Sequence, residues 1–164
     1  GVCNFYPDRW VDICSFSRIK PMVNQVEVHP FYQQEGAKKW MDKYSVQIEA
    51  WAPFGEGRGN MFQNPVLNEI GKKYGKSAAQ VILRWHLQRG VVVIPKSTHI
   101  ERMQENLNVF DFALSAEDMS RIAALDTKMS AFFSHYDPAK VEWFANMVEE
   151  RKKNHDSTKE KKDW

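Results

Sequence analysis

The hydrophobic pattern of residues 91–106 changes its period at Pro95. Residues 91–94 are continuously apolar and β-branched, which predicts a strand covered on both faces, as in a parallel sheet with helices packed outside. Beyond Pro95, apolar residues recur at spacings of three and four, which predicts a helix that packs one stripe against a core. That stripe consists of Ile100, Met103 and Leu107.

The start of this predicted helix carries polar and cationic side chains. Thr98, with Glu101 three residues later, forms a capping-box pattern, so we expect the helix to begin at Thr98. Its unpaired N–H groups would then lie beside Lys96 and Ser97, with Arg102 one turn further on, which is the chemistry of a phosphate site. The same pattern also fits an ordinary capped helix with solvated charges, and spacing alone leaves both interpretations open.

The rest of the chain alternates strand and helix, with predicted strands at residues 1–5, 22–29 and 46–52 before the one at 91–94. Four such repeats are typical of parallel βαβ units, either half of a (β/α)₈ barrel or a small open sheet. A complete barrel needs roughly 250 residues, so this chain is too short for one. In a barrel, the residues at the strand ends would face the mouth where active sites are built: Asn4, the set Gln25, Glu27 and His29, Trp51, and Lys96.

Helix boundaries are marked by local signals. Asn64 followed by Pro65 predicts a cap with proline in the first turn, and a second helix is expected from Ser77 to the glycine at position 90. A capping box at residues 115–118 opens a further helix. Between the third strand and these helices, residues 54–60 form a glycine-rich loop long enough to fold over a ligand, called here the glycine loop.

Composition narrows the class of protein. The 164 residues are 43% hydrophobic and 27% charged, which is typical of a globular protein. A net charge of +2 does not favour nucleic acid or an anionic membrane as partner, and no membrane span or signal peptide is visible. Two irregularly placed cysteines suggest neither a disulfide framework nor a metal site, which favours a reducing compartment and predicts a cytoplasmic protein.

The chain begins at Gly1, without an initiator methionine, in what the pattern predicts to be a strand end. We therefore expect it to be a piece of a longer protein. Three segments are predicted: a half-barrel at 1–126, a loop and helix at 127–150, and a charged, flexible tail at 151–164.

Four motifs, taken together, resemble the signatures of the aldo-keto reductases in their order and spacing. They are GVCNF at 1–5, VNQVEVHP at 23–30, AWAPFG at 50–55 and VIPKS at 93–97. The resemblance continues to about Asp126 and includes a resemblance to bacterial-type members similar to 2,5-diketogluconate reductase. It implies an α/β fold that is the C-terminal half of a (β/α)₈ barrel, and an NADPH-dependent reductase acting on an aldehyde or ketone.

The resemblance also implies a role for each matching residue. Cys3, Asn4 and Gln25 take the positions that hold the nicotinamide carboxamide, and Trp51 the position that stacks under the ring. Phe54 and Gly55 open the loop that covers the pyrophosphate. The adenosine 2′-phosphate site maps onto Lys96, Ser97, Thr98 and Arg102, and the adenine contacts onto Glu105 and Asn106.

Two of these positions depart from the family, and the family's four catalytic residues are missing. Cys3 replaces the usual serine and is a weaker hydrogen-bond partner, while Trp51 replaces the commoner tyrosine. The family's catalytic Asp, Tyr, Lys and His precede the point where this chain begins, and His29 matches a structural His-Pro motif. We therefore expect no catalytic residue here and no activity alone. A non-catalytic nucleotide-binding module and a self-assembling half-barrel stay open as alternatives, as does pairing with a missing N-terminal half.

Overall fold

The computed structural model of the chain describes residues 1–159, with side chains up to residue 153. The chain divides into a first unit, Gly1–Ala131, and a second that begins at Phe132. The boundary that the sequence places after residue 126 falls inside the first unit.

Four parallel strands form one sheet in chain order: β1 (Val2–Cys3), β2 (Val23–Glu27), β3 (Gln47–Trp51) and β4 (Val92–Val93). The register pairs Cys3 with Gln25, and Glu27 with Trp51. Parallel neighbours cannot be joined by a tight turn, and helices form the connections, as the alternating pattern predicts. Since all four strands run the same way, their carboxyl ends share one edge of the sheet.

The helices of the first unit are α1 (Pro7–Phe16), α2 (Glu35–Lys43), α3 (Pro65–Tyr74), α4 (Ala78–Gln88), α5 (Ile100–Leu107) and α6 (Ala116–Ala123). A 3₁₀ segment, Gly55–Gln63, follows β3 and holds most of the glycine loop. The core lies between the helices and the sheet, and its fully buried side chains include Trp10, Leu67, Ile82, Trp85 and Ile122.

Three predicted helix starts are confirmed by their hydrogen bonds. The Asn64 side chain accepts from the first amides of α3 at 3.0 and 3.2 Å. Ser77 caps α4 through a capping box completed by Gln80, and Ser115 caps α6 through one completed by Asp118. Each cap satisfies amides that the first turn leaves unpaired.

The predicted capping box of α5 is wrong. The helix begins at Ile100 with His99 as its N-cap residue, and the cap makes no side-chain hydrogen bond. The Ser97 hydroxyl accepts from the His99 amide at 3.1 Å, so a serine two residues upstream of the cap holds the turn. Because that turn delays the helix, Thr98 lies outside α5 and cannot cap it.

The predicted burial of this region is also wrong. Val92 and Ile94 are 40% and 46% exposed, so the strand is not covered on both faces. The apolar stripe of α5 faces no core: Ile100, Met103 and Leu107 are 68%, 48% and 72% exposed. β4 is an outer strand of the sheet, and no element of Gly1–Ala131 covers this side.

The second unit contains α7 (Pro138–Lys159). Ahead of it, the Phe133 ring packs against that of Phe144 with centroids 5.3 Å apart, and Phe144 also contacts Trp143. The helix includes the first part of the segment predicted to be a flexible tail, and residues 160–164 lie outside the described residues.

Candidate functional site

Side chains from three strands meet at the carboxyl edge of the sheet. Asn4 follows β1 with a left-handed backbone (φ 56°), and its side-chain oxygen accepts from the Trp51 indole N–H at 2.8 Å. The Asn4 amide donates to the Gln25 carbonyl at 2.9 Å, which extends the ladder past the strand. The structure therefore brings together three of the predicted residues that the sequence separates by more than twenty positions.

A second pair completes this cluster. The Gln25 side-chain N–H donates to the Glu49 carboxylate at 2.5 Å, and the Cys3 sulfur lies 3.9 Å from the Gln25 side-chain oxygen. Burial raises the pKa of the Cys3 thiol, and the nearby Glu49 charge raises it further. The thiol therefore stays protonated at neutral pH and offers a weak donor at this position. Glu49 is a member of the cluster that the sequence motifs do not indicate.

The glycine loop follows Trp51 and takes several left-handed conformations in succession. Positive φ angles occur at Glu56, Gly57, Gly59 and Asn60, a run that side chains other than glycine adopt only when neighbours hold them. Gly55, with φ +55°, is buried under the loop, and a Cβ there would lie 3.1 Å from the Met61 methyl group. Gly55 therefore shapes the loop. It belongs neither to the hydrogen-bonded cluster at the strand ends nor to the lining of the cavity described next.

A cavity of about 660 Å³ lies beside the start of α5. It brings together seven predicted residues: Phe54, Lys96, Ser97, Thr98, Arg102, Glu105 and Asn106. Its wall also includes six residues that the sequence analysis did not select: Phe62, Asn68, Ser77, Ala78, Ala79 and His99. Part of this wall comes from the glycine loop and from α3 and α4. These segments are distant from Pro95 in the sequence, so no local signal near Pro95 reveals them.

The cavity combines exposed cations with hydrogen-bonded polar groups. Lys96 and Arg102 are exposed, and neither side chain makes a hydrogen bond or ion pair within the described residues. The Glu105 carboxylate accepts a short hydrogen bond from the Ser77 hydroxyl, and the Gln80 side chain donates to the Glu105 carbonyl at 3.1 Å. These bonds join α4 to α5, so the cavity has one exposed cationic side and one hydrogen-bonded side.

A family model described as "Aldo/keto reductase family" matches residues 1–127. The chain belongs to the aldo/keto reductase family. It is 46% identical over 127 residues to the 9,11-endoperoxide prostaglandin H2 reductase of Trypanosoma cruzi (strain CL Brener), covering 77% of this chain and 45% of the relative. It is 39% identical over 126 residues to methylglyoxal reductase DkgA of Escherichia coli (strain K12), covering 77% and 46% respectively.

Solved aldo/keto reductases share the fold. An aldo-keto reductase of the silkworm Bombyx mori, complexed with NADPH, superposes with a TM-score of 0.77 at 32% identity, covering 81% of this chain and 43% of that chain. The neighbours are (β/α)₈ barrels, and the chain spans about half the length of the relatives it matches. The predicted half-barrel fold and the resemblance to bacterial-type members are confirmed.

Two further kinds of feature are absent from the described residues. No helix among them is long and apolar enough to cross a membrane. No group of three histidine, cysteine, aspartate or glutamate side chains in the same residues is arranged to hold a metal ion.

Proposed function

We propose that this aldo/keto reductase chain is the cofactor-binding half of an NADPH-dependent carbonyl reductase. The observation that supports this most is the sharing of one sheet edge by the Asn4–Gln25–Trp51 cluster and the cationic cavity, whose lining includes Phe54 of the glycine loop. A dinucleotide needs two such end sites and a cover for its pyrophosphate. The silkworm relative with a similar fold is complexed with NADPH.

The chemistry of each end suits one part of that cofactor. A carboxamide has donors and an acceptor, which the amide side chains of Asn4 and Gln25 can match, and the Trp51 ring offers a large stacking face. A 2′-phosphate requires fixed positive charge, which Lys96 and Arg102 supply. Because these cations have no competing carboxylate partner among the side chains that the structure describes, we propose NADPH over NADH as the preferred cofactor.

Within the intact enzyme, hydride passes from the nicotinamide to the carbonyl carbon of an aldehyde or ketone. The cofactor supplies that chemistry, while this chain positions it through the two end sites. We propose that the acid and its supporting Asp, Tyr, Lys and His come from the other half of a barrel. On this view the chain alone binds cofactor in the cytoplasm and does not turn over substrate.

The open side of β4 and α5 supports the need for another half. An apolar groove of about 370 Å³ lies there, lined by Leu83, Leu87, Val92, Met103 and Phe110 among others, and Phe110 is 69% exposed. Exposed apolar patches and unpaired strand edges mark surfaces that bind protein. Four further βα units would cover this side, either as a preceding half-barrel or as a second copy of the chain.

Three measurements on the purified chain test this proposal. Reductase assays with NADPH and a simple aldehyde should stay at background, and robust turnover would overturn the inactivity. Titrations followed by tryptophan fluorescence should give tighter binding of NADPH than of NADH, and equal affinities would contradict the cofactor assignment. Light scattering distinguishes the two possible partners of the open side. A dimer supports self-assembly, while a stable monomer supports a preceding half-barrel and excludes the dimer.

A further inference from the structure

The carboxyl end of β2 holds a buried carboxylate that the proposed cofactor chemistry does not use. Glu27 is 3% exposed and accepts three hydrogen bonds. They come from the Ser130 hydroxyl at 2.5 Å, the Ala131 amide at 2.8 Å and the His29 ring nitrogen Nε2 at 3.0 Å. Burying a carboxylate is costly unless its lone pairs are satisfied, so this arrangement needs a structural or functional reason.

The arrangement of the Ser130, Glu27 and His29 side chains is not that of a nucleophilic triad. In such a triad the imidazole lies between the hydroxyl and the carboxylate and takes the proton from the hydroxyl. Here Glu27 lies in the middle, and the Ser130 hydroxyl donates directly to it. The cluster therefore cannot activate Ser130 and instead ties residues 130 and 131 to the end of β2.

Those two residues end a segment that crosses the end of β2, residues 126–131, called here the strap. Its other end is tied as well: the Thr127 amide and hydroxyl both donate to the Phe31 carbonyl, at 2.9 and 2.7 Å. The Asp126 carboxylate accepts from the Gln33 amide at 3.2 Å. The strap is thus fixed at both ends to β2 and the connection that follows it.

The strap in turn contacts the glycine loop. The Arg58 guanidinium donates to the Ala131 carbonyl at 3.1 Å. Gly59 lies against the Phe31 ring so closely that a Cβ would be 3.2 Å from it. A loop with this many left-handed residues is not held by its own backbone preferences, so contacts from outside decide its conformation.

We propose that Glu27 is a positioning residue, which acts through the strap and Arg58 to hold the glycine loop in the conformation that covers the pyrophosphate. This inference rests on the proposed function, because it assigns that loop to the nucleotide. Since NADPH and NADH have the same pyrophosphate, loosening the strap affects both equally. That outcome distinguishes the strap from the cationic cavity, which acts on the 2′-phosphate.

The first test measures the loop without any nucleotide, in the full 164-residue chain. Glu27→Gln keeps the shape of the side chain and removes its charge, and Arg58→Ala removes the other link. Each should raise amide hydrogen exchange across Gly55–Gln63 by about two- to tenfold, the net effect of one hydrogen bond. The double variant should exceed the larger single effect by little, because both changes break the same connection.

Two further variants keep this test decisive. Ser130→Ala removes a single hydrogen bond to Glu27 and should raise exchange in the loop even if Glu27→Gln folds poorly. Arg121→Ala removes an exposed ion pair with Glu69, between α6 and α3, and should leave the loop unchanged. If Ser130→Ala and Glu27→Gln raise exchange in the strap but not in the loop, the coupling is wrong.

The second test measures nucleotide release by stopped-flow fluorescence. Glu27→Gln should speed the dissociation of NADPH and NADH by the same factor, about two- to tenfold. A change confined to NADPH, or no change for either, would overturn the proposal. If the unmodified chain binds neither nucleotide, the proposed function fails, while the exchange measurements still decide whether the strap holds the loop.

Discussion

The two ends of the proposed cofactor site are built differently. At the strand ends, Asn4, Gln25 and Trp51 are already hydrogen-bonded, to one another or to Glu49, at 2.5 to 2.8 Å. At the start of α5, the cationic side chains of Lys96 and Arg102 have no such partner within the described residues. The ordered end is pre-organised but must exchange bonds when a carboxamide enters, whereas the open end loses only hydration and depends on charge.

Acid should have the largest effect, and it acts through His86. His86 is fully buried behind the ordered end, with its ring nitrogens 2.8 Å from the Ile82 carbonyl and 3.0 Å from that of Val28. Burial lowers the pKa of His86 to about 4, outweighing the two carbonyls that raise it. The unfolded chain therefore binds the proton first, and the free energy of unfolding should fall by about 3 kcal/mol as the pH drops from 6.5 to 4.

Urea denaturation between pH 4 and 8 measures this loss. His86→Gln should flatten that part of the curve. An unchanged slope in His86→Gln would mean that other groups cause the acid sensitivity.

Removing a cation should break the open end selectively. Arg102→Ala should weaken NADPH binding by about 1.5–3 kcal/mol, the loss of one charge-assisted contact, and leave NADH within about twofold. Calorimetric titration with each nucleotide gives the two constants, and Arg121→Ala serves as a matched control, since Arg121 pairs with Glu69 and does not line the cavity. Equal losses for both nucleotides would refute the assignment of Arg102 to the 2′-phosphate.

Removing one hydrogen bond should loosen the ordered end without cofactor selectivity. Trp51→Phe keeps a stacking ring but loses the N–H donated to Asn4, so both nucleotides should bind about 0.5–1.5 kcal/mol more weakly. Trp40→Phe is the matched control, since Trp40 is 43% exposed on α2. The same titrations serve, and a loss for NADPH alone would contradict the role of Trp51 at the nicotinamide.

The smallest effect is expected at Cys3. A serine there would donate a stronger hydrogen bond than a thiol 3.9 Å from its nearest acceptor. Cys3→Ser should therefore strengthen binding of both nucleotides by less than about 1 kcal/mol. Weaker binding of either nucleotide in the same titrations would show that position 3 does not contact the carboxamide.

Local signals in the sequence were sufficient for much of the fold. The caps at Asn64, Ser77 and Ser115 act within three residues, and a side chain so close to its partner amide has few alternatives. The βα alternation likewise predicted the parallel sheet. The local signal failed at α5, which begins after His99 without a side-chain cap, while the Ser97 hydroxyl accepts from the His99 amide.

The site itself was only partly readable. The four motifs selected the residues at both ends of the proposed cofactor site, and the structure brings the residues of each end together. No motif indicated Glu49, the Ser77–Glu105 bond or the strap, because each depends on a polar group meeting a partner from a distant part of the chain.

The sequence by itself thus determined the helix caps, the parallel βα order and the family to which the chain belongs. Only the tertiary structure decided that residues 91–107 expose several of their apolar positions. It also decided that Glu27 and Ser130, 103 residues apart, are hydrogen-bonded and hold the strap in place. The physical reason is one of range. A cap is satisfied by the nearest few residues, whereas burial and long-range hydrogen bonds depend on which elements the folded chain brings alongside.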